Sequence, residues 1–153
     1  VFQIFNQQLR NNLPITVTDS RMSRFIMSLS DAASMILKIG HISDNSDTFI
    51  LKMPSVKIED FAKVMIQVFK KRNNMKSIPK IKISKIRYHE RFHELLITND
   101  ETEFCHDVGD MYKISKKLNK HPLNNKQFNS STATKINHKK LEKIINELFD
   151  EVN

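Results

Sequence analysis

The stretch PITVTDSRMSRFIMSLSDAA, residues 14–33, predicts a short strand followed closely by a helix. The run Ile15–Thr18 consists of β-branched residues, which are typical of strands. Ser28, with Asp31 three positions later, fits a capping box that opens a helix. We expect that helix to run to about Ile39 and to bury three residues on one face: Ala32, Met35 and Ile36. A strand that leads into a helix indicates a mixed organisation of both element types.

Three further segments show the apolar spacing of amphipathic helices. The first begins near Phe2 and ends at Asn11-Asn12, because Asn tolerates the left-handed conformation that often closes a helix. The second spans Ile58 to about Lys71 and carries acids in its first turn, where the helix dipole favours them. The third is capped by Asn137 and places five residues on one face: Leu141, Ile144, Ile145, Leu148 and Phe149.

Two other runs are predicted as strands. Thr48–Leu51 is β-like, and in KIKISKI, residues 80–86, isoleucines alternate with polar and charged side chains. Helix is expected to resume after Glu90, and residues 115–135 are predicted as loop because they are polar and without periodicity. Short strands mixed with helices indicate an α/β or α+β class, and we adopt α/β. No complete doubly wound sheet fits this pattern.

The composition limits the class of protein. The chain has 153 residues, about one domain, and its hydrophobic fraction is 39%. The single cysteine, Cys105, excludes an internal disulfide framework and fits a reducing compartment. No apolar run approaches the roughly 18 residues that a membrane span requires, and no signal-peptide pattern is recognisable. We therefore expect a soluble, cytoplasmic protein that makes no membrane contact.

The net charge of +8 raises the possibility of an acidic partner. Its densest stretch, Lys70–Arg87, contains eight basic residues and no acid, a pattern found in proteins that bind nucleic acid. No aromatic residues are interleaved with these charges, so no base-stacking surface is indicated. Nucleic-acid binding is therefore not expected, although a non-catalytic basic binding module is kept as an alternative function.

Residues 86–100, IRYHERFHELLITND, contain the pattern H-E-x-x-H at His89, Glu90 and His93. In zinc hydrolases two such His bind the metal and the Glu activates its water. That motif lies in a helix, whereas the strand pattern of KIKISKI runs almost up to His89. A third ligand is also needed, and the candidates have no recognised spacing: Glu101, Glu103 and His106. A zinc hydrolase is kept only as an alternative, and we expect no metal site.

Four segments, in order along the chain, resemble the C-terminal half of the polysaccharide-biosynthesis nucleotide-sugar dehydratases and epimerases. They are PITVTDSRMSRFIMSLSDAA, TFILKMPSVKIEDFA, IRYHERFHELLITND and FNSSTATKI. The chain is most similar to UDP-N-acetylglucosamine 4,6-dehydratases, and capsular UDP-sugar 4-epimerases are the alternative. These are extended short-chain dehydrogenase/reductase enzymes with an NAD(P)-binding Rossmann-like fold. The resemblance implies that this chain is the C-terminal sugar-nucleotide-binding part of that fold, with the Rossmann half missing.

The resemblance also implies a reaction and its cofactor. In the dehydratases NADP takes a hydride from the sugar C4, water is lost across C5 and C6, and the hydride returns. The glycine-rich NADP loop and the catalytic Tyr-x-x-x-Lys pair would precede residue 1. The only glycines here are Gly40 and Gly109, so no such loop can be written. We therefore expect no catalytic residue, no bound cofactor and no activity in this chain alone. The expected partners are a UDP-sugar, the Rossmann half and possible further copies in a homo-oligomer.

The resemblance assigns substrate binding to seven residues: Ile15, Thr16, Val17, Thr18, Arg24, Arg87 and Glu90. The first four would lie on a strand edge against the uracil ring, where backbone amides can read the base. The two arginines would grip the diphosphate, which suits planar guanidiniums, and the glutamate would accept hydrogen bonds from the ribose. His89 stands where the family has a glycine and adds bulk beside the ligand. Residues 1–114 are accordingly predicted as a UDP-sugar-binding subdomain, 115–135 as a linker and 136–153 as a C-terminal helix.

Overall fold

A computed structural model describes residues 1–42, 47–75, 77, 79–86, 88–116 and 127–152. Within these ranges the fold is mixed α/β, as predicted. The helices are α1 (Phe2–Arg10), α2 (Leu29–Ile42), α3 (Ile58–Arg72) and α4 (His138–Val152), with a 3-10 helix at Asp100–Phe104. The strands are β1 (Ile15–Val17), β2 (Ser23–Phe25), β3 (Thr48–Leu51), β4 (Ser55–Lys57), β5 (Ile81–Ile83), β6 (Leu95–Ile97), β7 (Cys105–Asp107), β8 (Met111–Ile114) and β9 (Phe128–Asn129).

The chain forms two compact units, each assembled from separate stretches of sequence. Unit 1 comprises Val1–Arg24, Val56–Phe92 and Lys135–Asn153, and unit 2 comprises Phe25–Ser55 and His93–Thr134. The predicted segments 1–114, 115–135 and 136–153 follow the order of the chain, whereas the units interleave. The assignment of 1–114 to sugar-nucleotide binding stays a prediction. Strand β9 lies inside the predicted linker, of which residues 117–126 are outside the described part.

Unit 1 combines a parallel strand pair with three helices. β1 and β5 pair in parallel, with Ile15 opposite Ile81 and Val17 opposite Ile83. Aromatic contacts join the helices: the Phe5 and Phe61 rings lie 6.3 Å apart and the Phe69 and Phe149 rings 5.8 Å apart. Each fully buried large apolar side chain contributes roughly 1.5–3 kcal/mol. This aromatic core holds β1 in place, and β1 carries three of the predicted site residues: Ile15, Thr16 and Val17.

The helices of unit 1 confirm the sequence pattern. Asn12 adopts φ 54° after α1, the left-handed conformation expected there. The helix predicted from Ile58 to about Lys71 forms as α3, and its apolar stripe is buried: Phe61, Met65, Val68 and Phe69. Asn137 Oδ1 accepts a hydrogen bond from Lys140 N–H over 2.8 Å, so the predicted cap of α4 is present. Four of the five predicted apolar residues of α4 are buried: Leu141, Ile144, Ile145 and Phe149.

Unit 2 is built on antiparallel strands. β8 lies between β3 and β7 and pairs antiparallel with both. β6 pairs antiparallel with β9. The predicted strand Thr48–Leu51 is confirmed with the same bounds. Lys38 of α2 forms an ion pair with Asp110 over 2.5 Å, which fastens this helix to the turn before β8.

The predicted burial on α2 is wrong. Ser28 Oγ does accept a hydrogen bond from Asp31 N–H over 3.1 Å, so the cap is present. Yet no α2 residue is buried, and Ile36 is 66% exposed and Leu37 71% exposed. The apolar spacing correctly shows which residues share a face. The spacing cannot show whether another part of unit 2 covers that face. Among the described residues, no part of unit 2 does.

The helix expected after Glu90 is also absent from the described residues, where Leu95–Ile97 forms β6 instead. Glu94 N–H donates to Ser130 Oγ over 2.9 Å, and Ser130 N–H donates to the Glu94 carbonyl oxygen over 2.8 Å. These bonds hold the segment against β9. The long-range pairing therefore overrides the local spacing that suggested a helix.

No helix within the described ranges is both long enough and apolar enough to cross a membrane.

Candidate functional site

A cavity of about 110 Å³ in unit 1 collects most of the predicted site residues. Its lining includes five of the seven: Thr16, Val17, Thr18, Arg24 and Glu90. The remaining wall consists of Val1, Ile4, Phe5, Met22, Ile58 and Ser84. Ile15 is fully buried, so its side chain packs into the core instead of lining the cavity. Arg87 lies outside the described residues.

The Thr16 edge of the cavity is engaged by a glutamine of α1. Thr16 N–H donates to Gln8 Oε1 over 3.2 Å, and Gln8 Nε2 donates to Thr16 Oγ1 over 2.7 Å. On the other side of the strand, Ile15 N–H donates to the Lys80 carbonyl oxygen over 3.0 Å. The backbone amides of Ile15 and Thr16 therefore already have acceptors in this structure.

Thr18 joins the end of β1 to the segment that follows β5. Its Oγ1 donates to Glu90 Oε1 over 2.9 Å. Ser84 N–H donates to the Val17 carbonyl oxygen over 2.9 Å and continues the β1–β5 pairing beyond the last residue of β5. The two segments are thus fixed together on the side where Thr18 and Glu90 line the cavity.

Arg24 is held by backbone carbonyl groups. Its Nη1 donates to the Ser23 oxygen over 2.7 Å and to the Phe92 oxygen over 3.2 Å, and its Nη2 donates to the Arg91 oxygen over 2.9 Å. Ser23 N–H also donates to the Phe92 carbonyl oxygen over 2.9 Å. These hydrogen bonds hold the positively charged guanidinium of Arg24 at the cavity. They also hold in place the segment that carries Glu90.

A second arginine supports the same segment from the surface. Arg21 pairs with Asp19 through Nη2 and Oδ2 over 2.8 Å and lies over the Phe92 ring, 4.7 Å from its centroid. The hydrogen bond from the Arg21 side chain lowers the pKa of the Asp19 carboxyl to about 2. Asp19 is therefore ionised throughout the physiological pH range, and the Arg21–Asp19 pair persists there.

The turn before Glu90 contains His89, the position at which the resemblance implies a glycine. His89 adopts φ 68°, in the left-handed region that favours glycine. The Tyr88 ring lies 4.0 Å from the His89 ring and is 91% exposed. The backbone at His89 thus has a conformation that favours glycine.

This geometry does not match the H-E-x-x-H zinc motif. His89 lies in a turn with positive φ, and no helix includes His89, Glu90 and His93. Glu90 instead accepts a hydrogen bond from Thr18. Across the described ranges, no cluster of three His, Cys, Asp or Glu residues is placed to hold a metal ion.

Two residues of the basic stretch are paired with acids. Lys71 Nζ lies 2.8 Å from Glu142 Oε1. Arg72 pairs with Asp150 and lies over the Phe149 ring, 5.6 Å from its centroid. These contacts join α3 to α4. This end of the stretch therefore stabilises a helix pair, which weakens the case for a basic binding module.

A larger cavity of about 830 Å³ lies in unit 2. Its lining includes Lys52, Asn99, Tyr112 and Phe128. Lys52 Nζ lies 2.6 Å from Asp107 Oδ1 and 4.7 Å from the centroid of the Tyr112 ring. None of the predicted site residues lines this cavity, so the smaller cavity of unit 1 is the candidate site.

Sequence reasoning missed Gln8. It lies in α1, three residues after Phe5, and the apolar spacing that predicts this helix assigns no role to a glutamine. No motif marks a glutamine that reaches a strand eight residues further along the chain. A glutamine on a helix directly before a strand is the one sequence signal that could have indicated it.

Comparison with known proteins identifies the family. Residues 1–116 match the family described as polysaccharide biosynthesis protein. An uncharacterized membrane protein of Methanocaldococcus jannaschii is 32% identical over 150 residues, which are 97% of this chain and 45% of that protein. The UDP-glucose 4-epimerase of Rickettsia bellii is 31% identical over 114 residues, 74% of this chain and 32% of the epimerase. The X-ray structure of Pen from Bacillus thuringiensis has a TM-score of 0.80 at 31% identity, covering 96% of this chain and 45% of that chain.

The chain therefore belongs to the polysaccharide biosynthesis protein family, as its four ordered segments predicted. Within that family it corresponds to a C-terminal part of a nucleotide-sugar epimerase or dehydratase. It spans less than half the length of each of these three relatives.

Proposed function

We propose that this chain is the UDP-sugar-binding portion of a nucleotide-sugar dehydratase or epimerase with the extended short-chain dehydrogenase/reductase fold. The observation that carries the proposal is the convergence of five predicted residues on one cavity of unit 1. Four of them lie between Thr16 and Arg24, and the fifth, Glu90, is 72 positions after Thr18 in the segment that follows β5. The resemblance therefore assigns one role to residues that the fold independently brings together.

The chemistry of the cavity suits one ring of a nucleotide. Ile4, Phe5 and Met22 provide an apolar wall, while Thr16, Thr18 and Ser84 bring hydroxyl groups to the lining. A nucleobase has apolar faces and a polar edge and needs both kinds of surface. The volume of about 110 Å³ is below the roughly 300–1,000 Å³ of small-molecule sites, so the cavity accepts a ring while the rest of the ligand lies outside.

The diphosphate and ribose are proposed to follow the arginine and glutamate at the cavity. Arg24 supplies a fixed positive charge there, and we propose that Arg87 adds a second guanidinium. A carboxylate can accept several hydrogen bonds, so Glu90 can bind ribose hydroxyls while it holds Thr18. In this proposal Ile15 acts from beneath, by fixing the strand in the core, whereas Val17 forms part of the cavity wall.

Cofactor binding and catalysis are proposed to belong to another part of the enzyme. NADP would supply the reversible hydride transfer there, whereas the two glycines here form no loop of the G-x-G-x-x-G type. The proposed partners are thus a UDP-sugar and the Rossmann portion, and the proposed location is cytoplasmic. This chain contributes binding energy and no reacting group.

The 4,6-dehydratase is the first candidate activity of the complete enzyme, because the four segments resemble those enzymes most. The 4-epimerase is the second, and the epimerase name of the Rickettsia bellii relative favours it. The two are separated by product analysis: a 4-keto-6-deoxy sugar from the complete enzyme indicates the dehydratase, and a C4 epimer indicates the epimerase.

The proposal is tested by measuring UDP and UDP-N-acetylglucosamine binding to the 153-residue chain. UDP at 100 times its Kd should stabilise the fold by about 2.7 kcal/mol in urea unfolding. An Arg24→Gln variant should lose most of this effect, whereas Lys63→Gln, on the surface of α3, should keep it. Absence of UDP stabilisation, or sugar turnover by the chain alone, would contradict the proposal.

A further inference from the structure

The direction of two hydrogen bonds fixes what the cavity offers to a ligand. Thr16 lies in β1 and Thr18 is the residue directly after it, and both line the cavity. Among the described residues, the Thr16 hydroxyl group has Gln8 as its partner and the Thr18 hydroxyl group has Glu90. The chemistry of those partners decides which hydroxyl presents a proton and which presents lone pairs.

Thr16 is left with a proton to donate. The backbone N–H of Thr16 can only donate, so the oxygen of the Gln8 carboxamide faces it, 3.2 Å away. The carboxamide nitrogen then faces Thr16 Oγ1 at 2.7 Å and must donate, because it carries no available lone pair. Thr16 cannot give its hydroxyl proton to Gln8, and its side chain lines the cavity, so that proton is available to a ligand there.

Thr18 has the opposite polarity. A carboxylate only accepts hydrogen bonds, so Thr18 must give its hydroxyl proton to Glu90 Oε1, 2.9 Å away. The oxygen of Thr18 then offers lone pairs to the cavity. Side by side, the two residues present a donor from Thr16 and an acceptor from Thr18. Two positions of chain span at most about 7 Å, so the two hydroxyl groups can form hydrogen bonds of about 2.8 Å to neighbouring ring atoms.

We propose that Gln8 and Glu90 make this cavity selective for uracil over cytosine by fixing the polarity of the Thr16 and Thr18 hydroxyl groups. Uracil has a carbonyl oxygen beside a ring N–H, the acceptor and donor that Thr16 and Thr18 complement. Cytosine has an amino group beside an unprotonated ring nitrogen, so it presents a donor where uracil presents an acceptor and an acceptor where uracil presents a donor. The inference rests on the proposed binding of a uridine nucleotide and adds the residue that determines base specificity. Gln8 is a positioning residue, since it acts through Thr16.

The test compares the affinities of UDP and CDP, because their ribose and phosphates are identical and the ratio isolates the base. The unaltered chain should bind UDP at least tenfold more tightly, the scale of discrimination that well-placed base hydrogen bonds provide. In Gln8→Glu the carboxylate still accepts the Thr16 N–H but also takes the hydroxyl proton. Thr16 then turns lone pairs to the cavity, and the UDP to CDP ratio should fall tenfold or more.

Two controls separate this role from a structural one. Gln7→Glu introduces the same charge at the exposed neighbouring position and should leave the ratio unchanged. Thr16→Val removes the donor itself, so it should lower UDP affinity about tenfold and leave CDP affinity nearly constant, even if Gln8→Glu fails to fold. Slow hydrogen exchange at the Thr16 amide should persist in Gln8→Glu, because that amide keeps its acceptor.

The outcomes distinguish the inference from the proposed function. If the unaltered chain binds UDP and neither Gln8→Glu nor Thr16→Val changes the ratio, the polarity inference is wrong while uridine nucleotide binding stands. If the unaltered chain binds neither nucleotide, both are wrong. A fall in the ratio for both variants, with Gln7→Glu unchanged, supports the inference.

Discussion

Thr18 Oγ1 donates a hydrogen bond to Glu90 Oε1 over 2.9 Å, and the two residues are 72 positions apart in the chain. This bond holds two sides of the candidate site together. Arg24 adds a second connection through the carbonyl oxygens of Arg91 and Phe92. The site therefore consists of two distant segments joined by two connections. Each connection can be removed by a separate substitution.

Replacing Thr18 tests the first connection. Thr18→Val keeps the shape of the side chain but removes the donor, so Glu90 loses a hydrogen bond. We expect a loss of about 1 kcal/mol in the free energy of unfolding by urea, together with weaker UDP binding. Thr18→Ser keeps the hydroxyl and is the matched control. Identical unfolding midpoints for the two variants would show that this hydrogen bond does not stabilise the fold.

Replacing His89 tests the turn before Glu90. At φ 68° a residue with a Cβ is strained by roughly 1–2 kcal/mol, whereas glycine is not. His89→Gly should therefore change the free energy of unfolding by less than about 0.5 kcal/mol, because the relief is offset by greater freedom of the unfolded chain. His89→Val should cost about 1 kcal/mol or more. The same cost for both variants would mean that the turn does not hold positive φ in solution.

A pair of isoleucines tests the uncovered face of α2. Ile36 is 66% exposed on α2, whereas Ile144 is 3% exposed on α4. Ile144→Ala should lower the free energy of unfolding by about 2–5 kcal/mol, since it empties a packed position. Ile36→Ala should change it by less than about 0.5 kcal/mol. A large loss for Ile36→Ala would show that the isolated chain does cover this face.

Cys105 provides a pH-dependent test of unit 2. Its side chain is fully buried, and burial raises the pKa of the thiol to about 11. The thiol of the unfolded chain ionises first, so stability should be unaffected below pH 8 and should decline as the pH rises from about 9 to 11. Cys105→Ala should show a smaller decline over that range. Rapid reaction of the native thiol with an aromatic disulfide at pH 8 would contradict the burial.

The sequence predicts elements best where one local signal decides them. Asn137 caps α4 and Asn12 closes α1 because each acts within a few residues. The stretch after Glu90 was predicted wrongly because β6 depends on residues 128–130, which local spacing cannot show. Ile36 was predicted as buried because periodicity shows a face and not what covers it.

In the candidate site, too, contacts that depend on long-range packing could not be predicted from the sequence. The resemblance indicated Thr16, Thr18, Arg24 and Glu90, and the fold brings them to one cavity. It did not indicate Gln8, whose contact with Thr16 depends on how α1 packs beside β1. The hydrogen-bond polarity of the site is therefore a property of the folded structure.

The most direct test of the account is an NMR titration of the ¹⁵N-labelled 153-residue chain with UDP. We predict saturable shifts centred on the backbone amides of Thr16, Thr18, Arg24 and Glu90, with little change at Tyr112 and Phe128 in unit 2. Absence of saturable shifts, or shifts confined to the unit 2 cavity, would contradict the assignment of uridine nucleotide binding to unit 1.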